Sequence, residues 1–358
     1  MEGLEDLMKT NSPVYHMEKD KRTSGRYIYS SGGLLQTVSL DGKNVATIHN
    51  STSHNITSFY QLNKDRVIFF DSAHQCIRQL SRETGTVERC FDWRLDVDKE
   101  GDLFDNESGN LIGFDESGDT DLTLIVTSKY KNGSLLKYDK RSDNITVLIS
   151  GLGGLPGGIA RHDPQDGGDG SFYITLKHAV YRIYQHNGVW DREWIAGSKK
   201  NKTGSTDGSF CVGLFNHPSA LFLIPTREST QQTKTMQLYV ADTNNHKIRI
   251  LDLKAKAIDS ICSGTEGHTN GNFNDCQMSF PRSIFSRSII SRDKPNSTTL
   301  YYDPYLIIGE SGRIRKVGSK LIFLFYLKYA LPYLVSDFTI IQLERLVLWL
   351  YPLDQDAY

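Results

Sequence analysis

The stretch LYVADTNNHKIR, Leu238 to Arg249, is the one from which the fold can be read. Apolar and small residues run up to Asp242, a polar turn follows, and Ile248-Arg249 opens a returning run. Two such runs around a short turn predict a β-hairpin. Asn244-Asn245 suits a tight turn because Asn tolerates positive φ, and an acid in the place of Asp242 can accept N–H groups of the turn it starts. The pattern recurs in VIFFDSAHQCIR (Val67 to Arg78) and LIIGESGRIR (Leu306 to Arg315). Asp71 and Glu310 therefore match Asp242, while Arg78 and Arg315 match Arg249. Weaker copies stand at Tyr27 to Gln36, Leu124 to Lys137 and Phe172 to Arg182.

Upstream of the last two hairpins a second motif repeats at an offset of 63 residues. GSTDGSFCVGLFNHPSAL (Gly204 to Leu221) aligns with GHTNGNFNDCQMSFPRSI (Gly267 to Ile284), so that Gly204, Thr206, Gly208, Phe210 and Pro218 fall on Gly267, Thr269, Gly271, Phe273 and Pro281. The glycines are expected in turn conformations closed to other residues. Six hairpins between Arg26 and Gly318 give roughly 49 residues per unit, the period of propeller blades. The expected fold is all-β, a six-bladed β-propeller of four-stranded antiparallel blades over residues 26–318. Residues 1–25 are expected to be a poorly ordered N-terminal segment. Residues 319–358 are read as an apolar C-terminal segment: a gene-model artefact, a core segment or a weak membrane segment.

The ADTNNHKIRI run, the G-x-x-D-G…F-x-x-P stretch before it and the trailing Ser263-Gly264 resemble NHL repeats. The resemblance covers the last two blades closely, Asp71 to Arg78 partly, and the rest loosely. It implies a six-bladed NHL-type propeller similar to TolB-like propellers, against a YWTD or gluconolactonase-like meander. Asp71, Arg78, Asp242, Asn245, Arg249, Glu310 and Arg315 are read as structural repeat residues, with the arginines pairing to neighbouring blades.

The 41 basic and 42 acidic side chains give a net charge of −1. A dedicated nucleic-acid binder usually carries a strong basic excess. RNA-binding NHL propellers use a basic face beside zinc-binding modules, and no such Cys/His modules are present.

Cys76 and Cys90 flank a hairpin that turns near Glu83-Thr84-Gly85, and Cys262 and Cys276 lie 14 apart, so two disulfides are expected, with Cys211 left over. Loops of this size would each contribute on the order of 3 kcal/mol. N-x-Ser/Thr acceptors occur at Asn50, Asn55, Asn106, Asn132, Asn144, Asn201 and Asn296, about two to three times the number the Ser/Thr content predicts. An extracellular or luminal domain is expected, with a cytoplasmic protein as the alternative. Met1 to Asp20 does not read as an export signal, so the chain is read as a fragment or an incomplete gene product. Leu321 to Val335 is apolar but short, with Lys328 and Pro332 inside, and makes a weak membrane anchor.

No catalytic residue, metal or cofactor is expected. In the amidating-lyase propellers zinc-binding histidines follow a proline at several blades. Here Gly157, Ser219 and Arg282 follow Pro156, Pro218 and Pro281. His74 and His246 are expected in hairpin turns aimed away from the channel, and the ten histidines read as scattered. The acidic loops Asp115 to Asp121 and Asp163 to Asp169 lack calcium-loop spacing. Gly151 to Gly158 carries no Lys-Ser/Thr and reads as the lead-in to an inner strand, not a phosphate cradle. Lys199, Lys200 and Lys202 form an insertion tip. The leading expectation is a non-catalytic scaffold for a protein, peptide or glycan ligand at one propeller face. The alternatives are a metal-dependent hydrolase or lyase, lactonase-like or amidating-lyase-like, and a cytosolic RNA-binding propeller.

Overall fold

The computed structural model describes residues 4–74, 76–88, 111–115, 122–128, 131–139, 144–164, 168–226, 235–292 and 300–317. Apart from 3-10 turns such as Thr243–Asn245, the regular structure is strand. The chain opens with β1 (Leu4–Lys9). Blade 1 follows as β2 (His16–Lys19), β3 (Arg26–Ser31), β4 (Leu34–Ser39) and β5 (Val45–Asn50). Blade 2 holds β6 (Ile56–Gln61), β7 (Arg66–Asp71) and β8 (Cys76–Ser81) among the described residues. Blade 3 is β9 (Leu111–Asp115), β10 (Leu122–Ser128), β11 (Ser134–Asp139) and β12 (Asn144–Ile149). Blade 4 is β13 (Pro156–Arg161), β14 (Phe172–Leu176), β15 (Ala179–His186) and β16 (Val189–Gly197). Blade 5 has a short extra strand, β17 (Gly208–Ser209), beside β18 (Pro218–Thr226), β19 (Thr235–Asp242), β20 (Lys247–Asp252) and β21 (Ala257–Ile261). Blade 6 is β22 (Ser283–Arg292), β23 (Leu300–Glu310) and β24 (Arg313–Val317).

All pairings between these strands are antiparallel, and the six sequence hairpins are the second and third strands of the six blades. The inner strands β2, β6, β9, β13, β18 and β22 touch one another in that order, and β22 returns to β2. The result is a six-bladed β-propeller.

The second strands are apolar without alternation because both of their faces are buried. On β7, Val67 and Phe69 pack in one cluster with Ile28 and Leu35 of blade 1, whereas Ile68 and Phe70 pack in another with Val126 and Leu136 of blade 3. On β19, Leu238 and Val240 face blade 4 and Tyr239 and Ala241 face blade 6. Six such clusters separate the six blades. A blade has no core of its own, so the ring stands on its interfaces.

The expectation for residues 1–25 is corrected by the structure. β1 pairs with β24 from Leu4↔Val317 to Lys9↔Arg313 and is the outermost strand of blade 6, while β2 is the innermost strand of blade 1. The two ends of the ring are thus joined by one sheet, which leaves no gap between blades 6 and 1. Tyr27 and Tyr305 hydroxyls meet at 2.8 Å across the same junction. Asp20 is buried and paired to Arg82 at 2.6 Å, and Gln61 donates to Lys19 O at 2.7 Å. A polar N-terminus with scattered charges gave no hint of this, because a closing strand buries only part of one face.

Cys262 and Cys276 form the expected disulfide. Cys76 is disulfide-bonded; its expected partner Cys90 lies outside the described residues, and Cys211 is a free, exposed thiol. Residues 318–358, Asn106, Asn296 and the loop 116–121 also lie outside them. Among the described residues no helix is long and apolar enough to cross a membrane.

Candidate binding face

In every blade the inner strand starts, and the second strand ends, on one side of the ring. The hairpin turns between second and third strands and the linkers between blades therefore share one face, the linker face. The repeated motif residues are found just beneath it. Arg249, fully buried, donates to Asp242 (2.8 Å), Asp207 (2.7 Å), Thr206 O (2.6 Å) and Leu214 O (2.6 Å). Arg315, also fully buried, donates to Glu310 (2.9 Å), Asn270 (2.6 Å), Thr269 O (3.3 Å) and Gln277 O (3.2 Å). The acid completes the clamp by accepting a linker N–H, Asn216 N on Asp242 and Ser279 N on Glu310, both at 2.8 Å. The linker partners 206, 207, 214 and 216 correspond to 269, 270, 277 and 279, each at the sequence offset of 63.

The repeat is thus the record of a clamp that fastens the linkers of blades 5 and 6 to their blades. Arginines expected to reach neighbouring blades instead pair within their own, because strand-two acid and strand-three Arg face each other across the hairpin. Blade 2 keeps a reduced form: Asp71 pairs with Arg78 (2.9 Å), accepts Asn55 N (3.1 Å) and takes His74 Nδ1 (2.7 Å). Burial pushes the Asp71 carboxyl up, but the bonds from Asn55, Arg78 and His74 outweigh it and hold the pKa below the ordinary value. In Asp242 burial dominates and raises the carboxyl, with Arg249 and the Asn216 N–H pulling it down. Asn245 donates to Asp242 and to Gly204 O. The left-handed turn residue is His246 (φ 54), not an asparagine. Gly208 (φ 123) and Gly271 (φ 149) do hold positive φ, and they bridge the outermost strands of their blades, at Ile258 and Leu4.

The histidines are not scattered. Eight of the ten (16, 49, 54, 74, 178, 217, 246, 268) stand at the linker face, and only His162 and His186 lie at the other end. They form local groups. His49 Nε2 and His54 Nδ1 lie 3.1 Å apart, with His74 edge-on to His54. His178 Nδ1 accepts the N–H of His217 (3.2 Å), and His246 Nδ1 accepts the N–H of Phe280 (3.3 Å). In both the receiving blade's residue is left-handed, directly before Pro218 or Pro281, and its ring sits edge-on at 4.5 or 4.4 Å. These are inter-blade latches, and Thr175 and Thr243 hydroxyls add ties to Ser219 O and Pro281 O, each at 2.8 Å. A turn histidine following the strand-closing residue was the available signal.

A latch needs an unprotonated Nδ1. Burial, with His217 and Lys177 nearby, lowers the His178 pKa, and burial first of all also lowers His49 and His54. Groups whose folded pKa lies below the unfolded value near 6.5 contribute stability that is present above that pH and is lost as pH falls. The urea midpoint is therefore expected to be lower at pH 5 than at pH 7.5. His178→Gln, whose side-chain oxygen accepts the same N–H without titrating, should flatten part of that slope; an unchanged slope would count against the latch.

The other sequence candidates are placed elsewhere. Asp169, on the opposite face, accepts Ser171 and Arg182, which hold its pKa down to about 2 against the effect of burial. Among the described residues no three His, Cys, Asp or Glu side chains are grouped to hold a metal. Of the glycan acceptors, Asn50, Asn132 and Asn201 are exposed on the linker face, Asn55 Nδ2 is engaged by Ser72 Oγ (2.7 Å), and Asn144 starts β12 at the opposite end.

No protein-family model and no curated protein matches the chain. Solved structures do. An auxiliary nutrient binding protein from Bacteroides thetaiotaomicron is similar with TM-score 0.63 and 15% identity over 87% of this chain and 69% of that one. Its counterpart from Bacteroides ovatus gives 0.64 and 14% over 88% and 76%. A protein proposed as a phosphatase from Bacteroides thetaiotaomicron gives 0.60 and 10% over 89% and 78%. At these identities the likeness is one of fold, and the fold to which it assigns the chain is the β-propeller.

Proposed function

We propose that the chain is a non-catalytic binding propeller of NHL type that presents its linker face to a ligand. One observation carries the reading: turns and linkers from all around the ring, with eight of ten imidazoles, converge there, while the repeated acids and arginines beneath are consumed in holding the linkers. The nutrient-binding propellers of like fold support a scaffold role by analogy only. NHL membership rests on the repeated residues themselves.

The test is a glycan and peptide array probed with the full chain. Ligands captured by the protein should be lost with His217→Asn, an exposed linker-face change that tolerates the left-handed backbone, and kept with Asn187→Asp at the other end. Turnover of a lactone or a peptidyl-hydroxyglycine by protein holding stoichiometric metal would replace this reading with the hydrolase or lyase alternative.

The proposal includes an extracellular or luminal setting, motivated by the acceptors Asn50, Asn132 and Asn201 exposed at the rim. Expression through a secretory host is expected to yield a ladder of glycoforms that collapses on enzymatic deglycosylation. A single unshifted band would leave the compartment claim without support.

A further inference from the structure

Most arginines of the described ring have a carboxylate. Arg78, Arg82, Arg182, Arg249, Arg313 and Arg315 are each ion-paired. Arg22, Arg26 and Arg192 bond backbone carbonyls and Arg66 is exposed; Arg282 differs from all of these. It directly precedes β22, at the point where the inner strand of blade 6 starts and the ring opens onto the linker face. Its Nε is buried with no hydrogen-bond partner, and no described carboxylate pairs with its guanidinium. Its backbone is fixed from three sides: Arg282 N donates to Gly309 O (2.8 Å), Thr243 ties Pro281 O, and His246 takes Phe280 N. The residues in the same position after Pro156 and Pro218 are Gly157 and Ser219, so blades 4 and 5 place small residues there.

The surrounding field has the same sign. Lys9, Lys131, Lys177, Lys199, Lys200 and Lys202 are exposed on this face, against Asp207, Glu266 and Asp275. Among these exposed side chains lysines outnumber acids two to one, a local field that draws anions to this face. A partly buried cation without a partner raises the free energy of the empty site, and a planar guanidinium matches a carboxylate in a two-pronged bond.

The neutral groups nearby select among anions. Ser219 and Thr243, whose hydroxyls meet at 2.7 Å beside Pro281 O, supply a neutral hydroxyl surface next to Arg282 that suits a polyol. Peptide recognition leans on apolar anchors, yet the exposed large hydrophobics of the described chain are elsewhere: Val45 and Val189 at the opposite end, Val212 on the outer rim.

We propose that Arg282 anchors an anion site at the mouth of the ring and that its ligand is an acidic oligosaccharide, bound through a uronate carboxylate. This rests on the scaffold reading above and narrows it to one ligand class.

Calorimetric titration of the full chain with trigalacturonate, at low and at physiological salt, tests it. Saturable, salt-weakened binding is expected, reduced at least tenfold by Arg282→Gln and unchanged by Lys43→Gln at the opposite end. Because no described residue pairs with the Arg282 guanidinium, the Arg282→Gln protein should unfold at the parental temperature, and Arg282→Lys should recover only part of the affinity by keeping the charge without the fork. Absence of binding, or equal binding by Arg282→Gln, overturns the proposal. Arg282-dependent binding of hexaglutamate with none of trigalacturonate overturns the sugar class. Binding of neutral galactotriose that ignores Arg282 overturns the anion site yet leaves the scaffold reading standing.

Discussion

Arg249→Met is expected to destabilise the protein by about 3–5 kcal/mol, the range for removing one partner of a buried ion pair. Asp242 would be left fully buried, with only Asn216 N and Asn245 to satisfy it, and Thr206 O, Leu214 O and Asp207 would lose their donor. Urea unfolding measures the loss. Arg315→Met should behave alike, since its acceptors correspond one for one. Arg78→Met should do less: its side chain is 14% exposed and among the described bonds it lacks the linker carbonyls. A double change, Arg249→Met with Asp242→Asn, should be less harmful than the sum of the two because the second removes the charge that the first strands. A loss below about 1 kcal/mol, the value of an exposed pair, would show that the clamp does not hold the linker.

Deletion of residues 1–9 is expected to cost more than any single substitution. It strips β1 from β24 and removes buried Leu4 together with Asp6, which pairs with Arg313 and Arg315. Five strand partners at about 1 kcal/mol each and one buried leucine at about 2 give roughly 7 kcal/mol, comparable with the whole stability of an ordinary domain at about 5–15 kcal/mol. The edge of β24 would also lie open to pairing with another chain. Soluble monomer by light scattering should fall sharply, and adding back a peptide of residues 1–10 should restore part of it. A truncated chain that stays monomeric and melts at the parental temperature would refute the closing role.

Much of the ring is legible in the residues. VIFF, LYVA and LIIG are continuous apolar runs because a propeller's second strand is covered on both faces, and the acid, turn and Ile-Arg that follow mark where it turns back. The blade count follows from three such marks and three weaker hairpins. The offset of 63 residues also held the clamp in plain view, since Thr206/Thr269 and Asp207/Asn270 recur in register, but their meaning depends on which atoms of the folded chain meet Arg249 and Arg315.

The linker face was not legible. His49, His54, His178, His217 and His246 follow no common spacing, because linkers between blades differ in length while their ends are all returned to one side of the sheet. Arg282 reads in sequence only as a residue after proline. Its lack of a carboxylate is a fact about what surrounds it, three blades brought together by closure of the ring.

Local pattern by itself determined the all-β blades, their number and the hairpin at the heart of each, because strand burial and turn chemistry act over a few neighbouring residues. Closure through β1, the pairing of each buried arginine within its own blade and the gathering of imidazoles on the linker face were decided only in three dimensions. They depend on contacts between residues as distant as Asp6 and Arg313, which nothing but the ring brings together.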